Sequence, residues 1–316
     1  TLAAVLEVRS PDVYRVELAR ADGGMVDASP EYTIDVLADL APTVVISEPG
    51  RDAQTSAIEE VFVEARADDD YGIEGLDLVY SVNGGPDEVV SLYGGGGPAL
   101  KEVSAGHTLF LEEWELDPGD VVSYYAVARD HRSDEGGAVM SDIYFLTIRP
   151  FRRDFRQAEQ RQSQGSQAPG GQAPGAGNGS LSELQREVVA ATFNLLRDEG
   201  TYSPEELREN LVSVALAQDR VRTEVSSLLD QMNARGVSQS NESFQEIAGL
   251  LPEAIRDMET AESLLRQERT REALAPEQRA LRVLQKAEET YERRGGQQRG
   301  GGGGGWRGGR GWGSGR

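Results

Sequence analysis

Hydrophobic and polar residues alternate in many short runs over the first 150 positions of the chain, and this period of two predicts β-strands. In residues 60–67, for example, Val61, Val63 and Ala65 fall on one face of the strand. Clusters of Gly, Pro, Asn and Asp separate the runs, and these residues favour tight turns. About seven strands are predicted over residues 42–150, which is the size of an immunoglobulin-like antiparallel β-sandwich.

Residues 1–41 show the same alternation, but only enough of it for two or three strands. Tyr14, Val16 and Leu18 share one face before a hairpin turn at Asp22-Gly23-Gly24. So few strands cannot bury a β-sandwich core by themselves. We therefore interpret this segment as the C-terminal part of a truncated Ig-like β-domain.

Asp117-Pro118-Gly119-Asp120 forms a turn signal directly before a run rich in Val and Tyr. Val122, Tyr124 and Ala126 share one face of this predicted core strand. The segment resembles the tyrosine corner of fibronectin type III and related Ig-like domains. The resemblance implies that the Tyr124 hydroxyl bonds the backbone just upstream.

The composition changes abruptly after residue 150. Residues 151–180 consist mostly of Gln, Gly, Ala, Pro and Ser, which predicts a disordered linker. Ser180-x-x-Glu183 then forms a capping box and begins a helix, and Ser203-Pro204 begins a second. Two more helices are predicted, the last opened by Pro276.

Apolar residues in residues 181–294 recur at alternating steps of three and four, which is typical of a coiled-coil seam. In the second helix this seam includes Leu211, Val214, Gln218 and Val221. Short connections favour an antiparallel α-helical coiled-coil bundle within one chain. An intermolecular coiled coil is the alternative. The fold class is therefore multidomain β plus α, with a disordered linker and tail.

The chain has a net charge of −22 and no cysteine. Residues 1–150 contain 30 acidic and nine basic residues, whereas residues 151–316 contain 24 and 23. The acidic front half disfavours nucleic-acid and anionic-lipid partners. The absence of cysteine excludes disulfides, thiolate metal sites and a cysteine nucleophile.

Two groups of residues could bind ligands, and each also has an explanation that involves no ligand. Acidic side chains on loops at one end of a sandwich could bind calcium; the candidates are Asp68, Asp70, Asp130 and Asp134. The glycine-rich tail, residues 295–316, resembles RNA-binding segments, and its candidates are Trp306, Arg307, Arg310 and Trp312. A solvated acidic turn and a disordered linker explain the same residues.

No pattern predicts catalysis or a cofactor. The two histidines, His107 and His131, stand in turn-like settings, and no Gly-x-Ser-x-Gly elbow is present. The glycine runs lack the lysine and the strand-to-helix context of a phosphate loop. We therefore expect no enzymatic activity, no cofactor and no small-molecule substrate.

Several stretches together resemble a bacterial family of large membrane-anchored proteins of unknown function. The resemblance rests on EVFVEA at residues 60–65 with its preceding Glu59, DDDYGI at 68–73, YSVNGG at 80–85, SDIYFLTIRPF at 141–151 and REVVAATFN at 186–194. Such proteins have N-terminal transmembrane helices, Ig-like repeats outside the cytoplasm and a helical, low-complexity C-terminal half. This sequence lacks those membrane helices, so any anchor is expected upstream of Thr1.

The resemblance implies a scaffold protein of the bacterial cell envelope, with this part facing the periplasm or the exterior. The Ig-like unit would act as a spacer or docking module, and the helices would assemble with protein partners. Two alternatives stay open. One is an RNA-associating protein that uses the Arg/Gly-rich tail, and the other is a calcium-dependent adhesion module.

Overall fold

The computed structural model describes residue 8 and residues 10–37, 39–94, 96, 100–130, 138–150, 180–236 and 242–300. The chain divides into two compact units, Thr1–Ala41 and Pro42–Arg316. The predicted linker and the end of the tail, residues 151–179 and 301–316, lie outside the described residues.

The first unit contains two small antiparallel ladders. Strand β1 (Asp12–Tyr14) pairs with β4 (Tyr32–Ile34), and β2 (Glu17–Ala19) pairs with β3 (Met25–Asp27). The rings of Tyr14 and Tyr32 stack across the first ladder with their centroids 5.2 Å apart. Nearly all side chains of these strands are exposed, as expected for strands too few to enclose a core.

The second unit contains a curled sheet of eight strands. The strands are β5 (Thr43–Glu48), β6 (Ala53–Ser56), β7 (Glu60–Val82), β8 (Glu88–Tyr93), β9 (Leu100–Phe110), β10 (Val121–Asp130), β11 (Ala138–Met140) and β12 (Tyr144–Arg149). The order along the main path is β5-β7-β10-β12-β6, with β8 and β9 on β7 and β11 on β10. All neighbours are antiparallel except β12 and β6.

The curl of the sheet arises in the long strand β7. Its first half pairs with β5 and β9, whereas its second half pairs with β8 and β10. Between the halves, Gly72 adopts a φ of 133°, and the Asp69 carboxylate accepts bonds from the backbone N–H groups of Tyr71 and Gly72. One strand therefore contributes to both sides of the curled sheet.

The alternation read from the sequence matches the core of this sheet. Val63, Ala65 and Ala67 of β7 are fully buried. Tyr124 of β10 is fully buried too, but its hydroxyl has no hydrogen-bond partner. The tyrosine-corner prediction is therefore wrong in its central contact. Strand pairing places this side chain deep in the core, where the centroid of its ring lies 6.0 Å from the centroid of the Tyr144 ring.

Four α-helices follow the sheet. They are α1 (Leu181–Arg197), α2 (Pro204–Ala234), α3 (Glu242–Arg266) and α4 (Thr270–Gly300). Capping boxes at Ser180 and Ser203 begin α1 and α2, as the sequence predicts. The mixed β plus α class is thus confirmed.

The start of α4 differs from the sequence prediction. The helix begins at Thr270, and Pro276 lies inside it, so the prediction that Pro276 opens the helix is wrong. Ala273 and Pro276 are both buried. The free energy gained by this burial offsets the loss of the backbone hydrogen bond that a proline cannot donate. At its other end the helix continues to Gly300, six residues past the end expected at residue 294.

The helices form a ring of antiparallel neighbours, which we call the helical bundle. α1 contacts α2 and α4, and α3 contacts the same two helices. The direction follows from cross-links: Arg208 near the start of α2 bonds Glu268 just after α3, and Thr192 of α1 bonds Glu277 of α4. The seam residues of α2, Leu211, Val214, Gln218, Val221 and Val225, are buried in the bundle.

Candidate functional site at the sheet–helix interface

An apolar cluster joins the curled sheet to the helical bundle. Val121, Ile143 and Phe145 contribute from the sheet, and Val189, Phe193 and Leu281 contribute from α1 and α4. All six side chains are at least nine-tenths buried. Burial of such side chains contributes about 1.5–3 kcal/mol each. This cluster therefore contributes hydrophobic attraction between the sheet and the bundle.

Two neutral hydrogen bonds lie beside this cluster. The Ser81 hydroxyl donates to the Gln278 side-chain carbonyl over 3.1 Å, and the Gln285 amide donates to the Thr147 hydroxyl over 3.1 Å. All four residues are buried. Because a buried polar group without a partner is costly, these bonds fix the position of α4 on the sheet.

Four arginines make ion pairs across the same interface. The pairs are Arg149 with Glu289 and Glu292, Arg186 with Asp52, Arg197 with Asp142, and Arg282 with Asp120. Three of the arginines belong to helices and reach sheet carboxylates, and one reaches from β12 to α4. Glu289 and Asp120 are buried, whereas their arginines are partly exposed. Partly exposed pairs contribute modest energy but select one orientation.

Two glycines allow the helix α4 to approach the turns of the sheet. A Cβ atom on Gly84 would lie 2.6 Å from the Ala275 carbonyl oxygen, and one on Gly119 would lie 2.8 Å from the Lys286 Cα atom. Both glycines also have positive φ, 69° and 94°. These positions therefore require glycine for conformation and for space.

A half-buried tyrosine and an exposed carboxyl group lie at one side of the interface. The Tyr125 hydroxyl lies close enough to the Asp87 carboxyl to interact with it, and Arg271 of α4 lies near both groups. Burial and the nearby carboxylate raise the pKa of Tyr125 to about 12. Burial also raises the pKa of Asp87, against the opposing effect of Arg271. The Tyr125 ring packs on Phe193 at a centroid distance of 4.8 Å.

A cleft of about 630 Å³ opens at the rim of the interface, lined by residues 50–52 and 142–144 and by two residues of α1. Its carboxylates already have partners. Asp52 accepts from the Phe145 backbone N–H and from Arg186, and Asp142 accepts from Arg197. Both carboxylates of the cleft therefore take part in the sheet–helix interface.

A buried polar network lies inside the helical bundle, where α1, α2 and α4 meet. Gln185 and Gln218 exchange amide hydrogen bonds of 3.0 and 2.9 Å, and Gln185 also donates to the Glu277 backbone carbonyl. The Glu277 carboxyl is fully buried and accepts from Thr192, while its second oxygen has no partner. Burial holds the pKa of Glu277 well above its ordinary value.

Three of the four calcium candidates lie in the described part of the chain. Asp68 lies 3.5 Å from the Arg66 guanidinium, Asp70 is exposed near the bend of β7, and Asp130 is buried at the end of β10. Within the described part of the second unit, these three carboxylates do not approach within 4.8 Å of one another as a group. Asp134 lies outside the described residues.

The other candidates add no further site. Trp306, Arg307, Arg310 and Trp312 lie outside the described residues. His107 lies within β9 opposite Val63, so its expected turn setting is wrong. No helix in the described part of the chain combines the length and apolarity required to cross a bilayer.

Sequence reasoning missed the sheet–helix interface. Its apolar members looked like ordinary core positions of separate domains, and its arginines looked like solvated helix surface. The sequence offered one signal of the interface, the glycines at positions 84 and 119. Both occupy turns, however, and a turn by itself is reason enough for a glycine. Partners more than 130 residues apart, such as Arg186 and Asp52, leave no local pattern.

No family model matches the chain, and no curated protein matches it. Among solved structures, the chain is similar to the fibronectin(III)-like modules of Clostridium thermocellum CbhA, with a sequence identity of 19% and a TM-score of 0.24. The match covers 45% of this chain and 64% of the CbhA chain. The chain thus spans slightly less than two thirds of that structure.

Two further solved structures have lower TM-scores against this chain. One is described as a Br derivative of BhCBM56, with 14% identity and a TM-score of 0.17 over 27% of this chain and 78% of that one. The other is described as pT26-6p, with 11% identity and a TM-score of 0.20 over 80% of this chain and 48% of that one.

Proposed function

We propose that this chain is a non-enzymatic structural or protein-interaction scaffold of the bacterial cell envelope. Its curled sheet is an Ig-like sandwich that acts as a spacer or docking module. Its helices form an intramolecular coiled-coil bundle that presents a second surface to protein partners. The envelope location and the membrane anchor remain part of this proposal.

The observation that supports the proposal is the sheet–helix interface. Six buried apolar side chains, two buried hydrogen bonds and four sets of ion pairs hold the bundle at one position on the sheet. A scaffold needs a fixed geometry between its modules, and these contacts supply it. The two carboxylates of the rim cleft, Asp52 and Asp142, are engaged in the same contacts.

Fractionation of the source bacterium tests the proposal. Antibodies to the purified protein should find it in the envelope fraction, and amine-reactive cross-linking of intact cells should shift it to a higher mass than the same protein has in cells without cross-linker. A parallel strain carrying Phe193→Ala, which damages the interface, should yield fewer complexes. Recovery in the cytosol, or as an uncomplexed chain in both strains, would overturn the proposal.

A further inference from the structure

The rim cleft lies between the sheet and α1, and two ion pairs bound it along that helix. At one end the Arg186 guanidinium donates to Asp52 over 3.0 Å, and at the other Arg197 donates to Asp142. Both carboxylates belong to the lining of the cleft. From Arg186 to Arg197 the helix rises about 16 Å. The two ion pairs therefore fix the walls of the cleft relative to each other at both ends.

Small and apolar residues line the cleft between these ion pairs. On α1 the lining consists of Ala190 and Asn194, which lie one helical turn apart on the same face. The sheet contributes Ile143 and Tyr144. Because an alanine fills little space, the volume between the walls reaches about 630 Å³. That volume falls within the range of small-molecule sites, which combine apolar walls with a few polar groups.

Two donor groups of the lining are open to a ligand. Arg51 lies in the turn between β5 and β6 and is exposed, and no described carboxylate pairs with it. On the opposite wall, the Asn194 side chain makes no hydrogen bond within the described part of the chain. Asp52 and Asp142, by contrast, already accept from arginines. The cleft therefore offers a ligand a cation on one wall and an amide on the other.

These donors fit a singly charged acceptor. The planar guanidinium of an arginine binds a carboxylate through two parallel hydrogen bonds. The chain is acidic as a whole, but at physiological ionic strength charges beyond about 8 Å are largely screened. A doubly charged phosphate would meet Asp52 and Asp142 with more repulsion than a carboxylate does. The charges of the lining therefore favour a monocarboxylate.

We propose that the rim cleft binds an organic carboxylate, whose carboxyl group pairs with Arg51 and accepts from the Asn194 amide. The apolar body of this ligand lies against Tyr144 and Ala190. The carboxylate belongs to a free acid or to the C-terminus of a peptide, since both present the same chemistry. Because the ligand contacts the sheet and α1 at once, its binding stabilises their contact by mass action. This site is additional to the scaffold role and does not depend on it.

Nuclear magnetic resonance of the nitrogen-15-labelled full chain tests this site, with sodium benzoate as the probe and benzamide as its uncharged counterpart. At constant ionic strength, benzoate should shift the backbone amide signals of residues 50–52 and 142–144 and the side-chain amide of Asn194 in a saturable way. Benzamide should bind at least about tenfold more weakly, because hydrogen bonds between charged groups are stronger than those between neutral ones.

Arg51→Gln removes the cation of the site. We expect this variant to bind benzoate about ten- to a hundredfold more weakly than the parent chain. Its circular dichroism should not change, because Arg51 is exposed and no described carboxylate pairs with it. The matched control is Arg235→Gln, which removes the same charge from an exposed arginine outside the lining of the cleft. It should bind benzoate as the parent does.

A second probe distinguishes the two sources of the carboxylate. If the peptide acetyl-alanyl-alanyl-phenylalanine binds more tightly than benzoate, the site receives peptide C-termini, and the reverse order assigns it to free acids. Four results would each overturn the proposal: no saturable shift with either carboxylate, equal binding of benzoate and benzamide, unchanged benzoate binding in Arg51→Gln, or tighter binding of inorganic phosphate than of both carboxylates.

Discussion

Glu277 is a single residue whose surroundings favour the protonated carboxyl. Gln185 and Thr192 of α1 and Gln218 of α2 surround it with neutral groups, and none of them supplies a positive charge. Its pKa is raised by burial. The native state therefore binds a proton that the unfolded chain releases above a pH of about 4.5.

The consequence is a stability that falls as pH rises. Because the folded pKa lies above the unfolded one, the stabilising contribution is complete below a pH of about 4.5 and is lost progressively as pH rises toward the folded pKa. Glu277→Gln mimics the neutral carboxyl, so we expect it to raise the free energy of unfolding at neutral pH and flatten its pH dependence. Urea unfolding across a pH series measures both effects.

Glu253→Gln on the exposed face of α3 is the control for this experiment, because it removes the same charge without changing a buried group. It should leave the pH dependence as it is in the parent chain. A Glu277→Gln protein whose stability falls with pH as steeply as that of the parent would show that the carboxyl is already ionised in the folded protein.

Tyr124 gives a second prediction at the residue scale. Its hydroxyl is buried without a partner, so Tyr124→Phe removes a polar group that costs free energy where it is. We expect the melting temperature to stay constant or rise. Tyr125→Phe, which removes a hydroxyl that interacts with the Asp87 carboxyl, should instead cost about 0.5–1.5 kcal/mol. Greater destabilisation by Tyr124→Phe than by Tyr125→Phe would indicate a backbone contact, as in a tyrosine corner.

At the element scale, α4 connects the parts of the second unit. It contacts α1 and α3 in the bundle and reaches the sheet through Gln278, Leu281 and Gln285. Residues 276–278 are buried in succession. A helix with only one apolar face could not be buried on both sides. Because the polar residues of α4 have hydrogen-bond partners, this helix can be buried between the bundle and the sheet.

The close approach of α4 to Gly84 yields a prediction for this element. Gly84→Ala places a Cβ atom against the Ala275 carbonyl, so the helix or the turn must shift. Gly236→Ala is the control, because Gly236 has a similar φ, 63° against 69°, but open space around it. We expect Gly84→Ala to cost about 1–3 kcal/mol more than the control. Equal losses in the free energy of unfolding, measured by chemical denaturation, would show that the turn shifts to accept the Cβ atom at little cost.

At the scale of the whole molecule, residues 42–300 contain a sheet and a bundle that share a buried interface. Interfaces between independent domains are more polar than obligate interfaces as a rule. Here an apolar cluster is flanked by ion pairs on both helices that face the sheet. We therefore expect the sheet and the bundle to unfold together.

Phe193→Ala tests this expectation. Removal of the buried ring should cost about 3–5 kcal/mol, and it should lower the helical and sheet transitions equally. Helical circular dichroism reports the bundle. Trp114, which stacks on Tyr80 in the sheet, reports the sheet by fluorescence in a Trp306→Phe/Trp312→Phe background. Two separated transitions in the parent chain would contradict a single cooperative unit.

The sequence determined the local elements of this protein. Alternation placed Val61–Ala65 in a strand, capping boxes at Ser180 and Ser203 began two helices, and the three-four spacing in α2 identified the buried seam. These features depend on residues within a few positions of one another. Local geometry and hydrophobic burial are therefore enough to predict them.

Only the tertiary structure decided how these elements meet. The sequence could not show that Phe193 packs on Tyr125, that Arg186 reaches Asp52 or that Gly84 gives room to α4. It also placed the start of α4 at Pro276, because a local rule for proline cannot weigh the burial of Ala273. Contacts between distant residues depend on the folded path of the whole chain, and no short segment contains that information.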